Sequence, residues 1–149
     1  AFDSGLELVA RLDAGDTLDA EHLAGVDVVV DFTVPSVTEA NVHALIEAGV
    51  DAVVGTTGWT EESYARVAEH LARPEAAGRA VLIAPNFALS AVLAMGFAAR
   101  AARYFESVEV IELHHPNKID APSGTAVATA QGIAAARAAA GLGAMPDAT

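Results

Sequence analysis

Three short apolar runs limit what this chain can fold into: Val26-Asp27-Val28-Val29-Val30, Ala52-Val53-Val54 and Val81-Leu82-Ile83. Each is short and rich in β-branched residues, and a stretch of helical character separates each from the next. Between the first two, Ser36-Val37-Thr38-Glu39 has the Ser-x-x-Glu spacing of a capping box, and Gly49 is placed to end the helix it opens. Between the last two, Thr60 caps a helix with Glu61 and Glu62 in its first turn. Tyr64, Val67, Ala68 and Leu71 then recur at helical spacing until Pro74. Strand and helix in alternation predict a parallel sheet covered on both faces. Leu8 to Leu12 is expected to be a further strand, closed by Asp13 and a turn at Gly15.

Ligands of such sheets sit outside the carboxyl ends of the strands. Asp13, Asp31-Phe32-Thr33, Gly55-Thr56-Thr57-Gly58 and Ala84-Pro85-Asn86-Phe87 all fall there. An acid ending the second strand of a Rossmann unit bonds the ribose hydroxyls of NAD, and Asp13 holds that kind of position. The Gly-rich phosphate fingerprint belongs about 20 residues earlier, ahead of the first residue here. In the 55–58 loop the glycines admit a ligand to the backbone and the threonines can bond a ribose. A plain strand-to-helix turn explains that loop equally well.

After Asn86 the texture changes. An alanine-rich helix is expected from Ser90 to Phe105, a strand from Val108 to His114, and a second alanine-rich helix from about Ser123 to Ala140. Residues 1–86 therefore read as a dinucleotide-binding domain and 87–149 as a second domain. The opening residues resemble the end of a helix and Pro146-Asp147-Ala148-Thr149 a loop, so a piece of a longer protein is expected.

Twenty acidic residues against 8 basic ones give a net charge of −12, a field that repels nucleic acid and anionic membranes. No apolar run approaches the ~20 residues of a membrane helix, and the absence of cysteine excludes disulfides and thiolate chemistry. A soluble cytoplasmic protein is expected. An anionic ligand then needs a local cationic pocket, and His114, His115 and Lys118, the only lysine, supply one. Along a strand Val110, Glu112 and His114 share a face, and a turn through Pro116-Asn117 would return Lys118 to the histidines. Pro122-Ser123-Gly124-Thr125 opens a helix whose N–H groups and dipole favour a carboxylate; Gly124 permits close approach and the Thr125 hydroxyl adds a donor. An ordinary polar surface loop is the plainer account. A zinc site fits less well, with two adjacent histidines, no cysteine and a competing ammonium, so no metal is expected. The constellation suits a small dianion held at a helix start and protonated by imidazole.

Residues 109–126, EVIELHHPNKIDAPSGTA, resemble the signature of the 4-hydroxy-tetrahydrodipicolinate (dihydrodipicolinate) reductase family at every required position. Asp31-Phe32-Thr33, Gly55-Thr56-Thr57-Gly58 and Ala84-Pro85-Asn86-Phe87 resemble family segments in the family's order. The resemblance implies a Rossmann-like parallel-sheet nucleotide-binding domain, here without its first strand and Gly-rich loop. Part of an α+β substrate and tetramerisation domain follows. It implies reduction of a cyclic imine dicarboxylate by NADH or NADPH in lysine and diaminopimelate biosynthesis, by a homotetramer at full length. By motif, His114 would be the proton donor or acceptor and Lys118 a second donor. His115, Ser123, Gly124 and Thr125 would bind substrate. Asp13 would bind the adenosine ribose, while Gly55, Thr56, Thr57, Ala84, Pro85, Asn86 and Phe87 would line the cofactor. Ala14 stands where some members place an arginine for a 2′-phosphate, which favours NADH, and Arg11 is close enough in sequence to compensate. Two other readings are another two-domain nicotinamide-dependent amino-acid dehydrogenase and an inert truncated module.

Overall fold

The computed structural model describes residues 5–116, 118 and 121–146. The expected helix end at the start, Asn117 of the expected turn, and Ile119, Asp120 and 147–149 lie outside the described residues. The chain divides into two compact units, Ala1–Ala84 and Pro85–Thr149.

The first unit holds β1 (Val28–Asp31), α1 (Pro35–Ala48), β2 (Asp51–Val54), α2 (Glu61–Leu71), a single 3₁₀ turn at Pro74–Ala76 and β3 (Val81–Ile83). The three strands form one parallel sheet in the order β1-β2-β3, with Val29 beside Ala52 and Ala52 beside Val81. Residues in register share a face, so Val29, Ala52 and Val81 point one way with Asp31, Val54 and Ile83. That face meets the helices. Val42, Leu45 and Ile46 of α1 and Val67 of α2 close over Ala52 and Val54, and Leu23, Val50 and Ala76 complete the core. Val42, Leu45 and Val54 are fully buried, a contribution of about 1.5–3 kcal/mol each.

Three expectations for this unit need correction. The opposite face is not covered among the described residues: Val28, Val30 and Leu82 remain about half exposed or more. A continuous apolar run looks doubly buried, but here α1 packs on both β2 and α2, so both helices lie on one side. Leu8 to Leu12 is not a strand; it finds no ladder partner among the described residues, and Leu8 and Val9 are exposed. The Ser36–Glu39 capping box does not form either. Val34 is the N-cap and Pro35 takes the first helical position, where its missing N–H costs nothing, so Ser36 already lies inside the helix. Gly49 does end α1, at φ 76°, in the left-handed conformation that a side chain disfavours.

The second unit holds α3 (Leu89–Ala102) and α4 (Gly124–Ala139), which pack on each other through Ala102 and Ile133. Val108 to His114 is not a strand, because no partner pairs with it among the described residues and Ile111 and Leu113 stay exposed. Side-chain contacts tether it instead: the Val108 N–H faces the Met145 sulfur at 3.3 Å, and Glu112 reaches Ser123.

Candidate active site

In the first unit, the carboxyl ends of the strands are organised by a residue that the sequence placed in a loop without assigning it a role. Asp31 is 4% exposed. Its carboxylate accepts the Thr33 N–H at 2.8 Å, the Thr33 hydroxyl at 2.7 Å and the Thr56 hydroxyl at 3.2 Å on one oxygen. The other oxygen accepts the Thr38 hydroxyl at 3.3 Å and the Asn41 amide at 3.2 Å. Burial pushes this carboxyl up, but the bonds from Thr33, Asn41 and Thr56 outweigh it and hold the group below its ordinary 3.8. The 55–58 loop is therefore anchored from inside. Thr56 is buried with its hydroxyl on Asp31, and the Trp59 indole N–H donates to the Thr56 carbonyl at 3.1 Å. Thr57, next along the loop, is partly exposed. A Cβ on Gly55 would meet the exposed Phe32 ring, which would have to turn aside to admit it. The Ala84 N–H donates to the Val54 carbonyl at 3.1 Å, carrying the sheet edge to its last residue.

Asp13 lies in a tight turn. Its N–H donates to the Asp16 carboxylate at 2.7 Å, and its own carboxylate accepts the Ala14 N–H at 2.7 Å. That turn borders a cavity of about 670 Å³ whose other wall includes Val30, Asp31 and Asn41. The volume suits part of a nucleotide, and an acid on the rim beside a strand's carboxyl end is the feature a ribose needs.

In the second unit the signature residues gather on Glu112. Its carboxylate accepts the Ser123 N–H at 2.7 Å and the Ser123 hydroxyl in a short bond. His114 Nδ1 stands 3.5 Å away. The Ser123 hydroxyl and N–H hold Glu112 below the usual carboxylate range, and the charges of His114 and Lys118 add to this. Both cationic candidates thus act on one carboxylate. His115 is exposed, and its carbonyl accepts the Lys118 N–H at 3.2 Å.

Ser123 is the N-cap of α4, its hydroxyl oxygen accepting the Ala126 N–H at 3.2 Å, and it is buried. Its donor and acceptor are both used internally, and Gly124 and Thr125 follow it at the head of the helix. Their N–H groups lie in the first turn, which has no intrahelical acceptors. The Thr125 hydroxyl donates to the Pro85 carbonyl at 3.3 Å and accepts from the Asn86 amide at 3.1 Å. What Thr125 offers a carboxylate is therefore its N–H. Asn86 and Pro85, assigned by sequence to the cofactor, are here bonded to a residue assigned to the substrate. Asn86 also accepts the Ala88 N–H at 2.8 Å, and Phe87 is about half exposed.

The parallel sheet with helices on it defines an α/β unit of the Rossmann-like type, followed by a helical unit with a polar cluster at a helix start. Residues 4–87 match the family described as dihydrodipicolinate reductase, N-terminus, and residues 90–146 match its C-terminus. The chain belongs to the dihydrodipicolinate reductase family. It is 67% identical over 146 residues to the 4-hydroxy-tetrahydrodipicolinate reductase of Beutenbergia cavernae, covering 97% of this chain and 58% of that protein. With the same enzyme of Bifidobacterium longum it shares 61% over 144 residues, 96% of this chain and 57% of the relative. A solved structure, the dipicolinate-bound dihydrodipicolinate reductase from Paenisporosarcina sp. TG-14, is similar at a TM-score of 0.61 and 43% identity. That match covers 80% of this chain and 45% of the other. The chain thus spans somewhat over half the length of these curated relatives.

Proposed function

We propose that this chain carries the nucleotide-binding domain, ending near Asn86, and part of the substrate domain of a 4-hydroxy-tetrahydrodipicolinate reductase. NADH or NADPH, when bound, supplies hydride to a cyclic imine dicarboxylate that loses water to give tetrahydrodipicolinate. The observation that carries this reading is the meeting of His114 and Ser123 on Glu112 at the start of α4, with Lys118 four residues after His114. A dianionic ring acid needs a helix start for a carboxylate and a proton source beside it, and one short segment offers both. The dipicolinate-bound neighbour supports a ring dicarboxylate as the substrate class.

In this scheme the Gly124 and Thr125 N–H groups bind one carboxylate, and His115 contacts substrate. His114 moves the proton and Lys118 supplies a second one. Asp13 accepts from the adenosine ribose at the 670 Å³ cavity. Thr57 and the backbone of Gly55 and Thr56, with residues 84–87, contact the nicotinamide end, while Asp31 holds the Thr56 hydroxyl. The test is nicotinamide absorbance in a full-length reductase carrying this sequence. His114→Ala and Lys118→Ala should each lower kcat by about 10²–10⁴-fold with the melting temperature nearly unchanged. A loss of less than about tenfold in both removes the assignment.

A further inference from the structure

Glu112 has no role in the proton transfer or carboxylate binding described above, yet it is the group on which those residues meet. We propose that Glu112 is a positioning residue that fixes the His114 imidazole as its Nδ1–H tautomer and, through Ser123, ties that imidazole to the start of α4. The inference rests on the reading of His114 as the proton-transfer group.

The chemistry of a carboxylate carries the argument. Ionised, it only accepts, so the imidazole nitrogen facing it is the one that carries hydrogen. That nitrogen is Nδ1, 3.5 Å from the Glu112 oxygen. The distance exceeds a full hydrogen bond, as contacts of proton-transfer groups commonly do before substrate is bound. Nε2 is then the nitrogen that takes up a proton; the anion behind the ring favours the imidazolium so formed, and passing that proton on from Nε2 returns the ring to its Nδ1–H tautomer. The same oxygen receives the Ser123 hydroxyl, and the other receives the Ser123 N–H. Donating its hydrogen to Glu112 turns the Ser123 lone pair toward the Ala126 N–H that it caps. One side chain thus sets both the direction of the imidazole and the first turn of the helix that holds the carboxylate. A group needed only as a helix clamp would not face a ring nitrogen on the same oxygen.

Glu112→Gln changes the one oxygen that both His114 and the Ser123 hydroxyl face, so tautomer, kcat and KM are read together. The glutamine carbonyl keeps the Ser123 N–H, while its amide, a donor, replaces the oxygen that faces His114. With the imidazole neutral, ¹⁵N-histidine NMR of the present chain should show His114 as Nδ1–H in the wild type and Nε2–H in the variant. In the full-length reductase kcat should fall about 10–100-fold, the range typical of groups that orient a reacting side chain, with KM for the dicarboxylate within about threefold. The same tautomer in both proteins overturns the proposal. So does a raised KM with unchanged kcat, which would make Glu112 a builder of the anion site alone. Wild-type turnover in His114→Ala would sink the reading of His114 instead, whatever the tautomer result.

Discussion

At the scale of single residues, Asp31 and Glu112 do the same thing in different units: one carboxylate collects donors from distant positions and holds a loop in place. Asp31 draws them from Thr33, Thr38, Asn41 and Thr56. Replacing it by asparagine turns one acceptor oxygen into a donor facing hydroxyl or amide donors, a loss of about 1–3 kcal/mol at neutral pH. Its folded value is depressed below 3.8, so its contribution is present above the unfolded carboxyl value and disappears as pH falls through the lower folded value. Thermal unfolding of wild type and Asp31→Asn should therefore differ most near pH 7 and converge in acid, once pH falls below the depressed folded value. A gap that holds constant or widens toward acid would show that the carboxylate is not favoured in the fold. The sequence made Asp31 visible as the end of a strand but not as a hub, because its partner Thr56 is 25 residues away and only folding brings it in. Ser123 was legible as part of a signature; that its hydroxyl is occupied by Glu112 was not.

At the scale of elements, the cap at Thr60 was legible while the one expected at Ser36 does not form, and two expected strands find no partner among the described residues. Thr60 caps α2 as its position implied, accepting the Ser63 N–H at 3.2 Å while the Ser63 hydroxyl accepts the Thr60 N–H at 2.8 Å. Thr60→Ala should cost about 1 kcal/mol in chemical unfolding. The runs 8–12 and 108–114 have strand composition, but a strand exists only with a partner, and composition does not name one. Arg137 was missed outright. On an alanine-rich helix it looks like a surface cation, yet it is 6% exposed and its guanidinium donates to the carbonyls of Ala102, Phe105 and Glu106 at 3.0, 2.6 and 3.0 Å. Those carbonyls lie at and just beyond the end of α3, where acceptors are left over and the dipole is negative. Arg137→Leu keeps much of the bulk but strands those acceptors, so it should lose about 1–3 kcal/mol. Arg137→Lys should recover only part of this, since one ammonium does not reproduce the fork. Full recovery by lysine would mean that charge alone, without the planar geometry, holds α3 to α4.

At the scale of the whole chain, the parallel order of the sheet followed from three β-branched runs separated by helical stretches, while one-sided coverage did not. A run such as Val28-Val29-Val30 is apolar on both faces, and only the packing of α1 and α2 decides which face is used. Charge is the other property fixed at this scale. With 20 acidic and 8 basic residues, the net charge of −12 opposes compaction of the chain that carries it. The described ion pairs do little to offset this: Arg66 with Glu39 and Arg79 with Asp51 are both partly exposed, where solvent screens the attraction. Raising salt from 0.01 to 0.15 M shortens the screening length from about 30 to about 8 Å. That weakens repulsion between distant carboxylates more than it weakens the close hydrogen bonds around Asp31 and Glu112. The melting temperature at pH 7 should therefore rise over this range in sodium chloride, and by less at pH 4, where protonated carboxylates carry less charge to screen. Calorimetry at the two pH values measures both changes. A melting temperature that falls with salt at pH 7 would mean that local ion pairs, not long-range repulsion, govern the electrostatics of this chain.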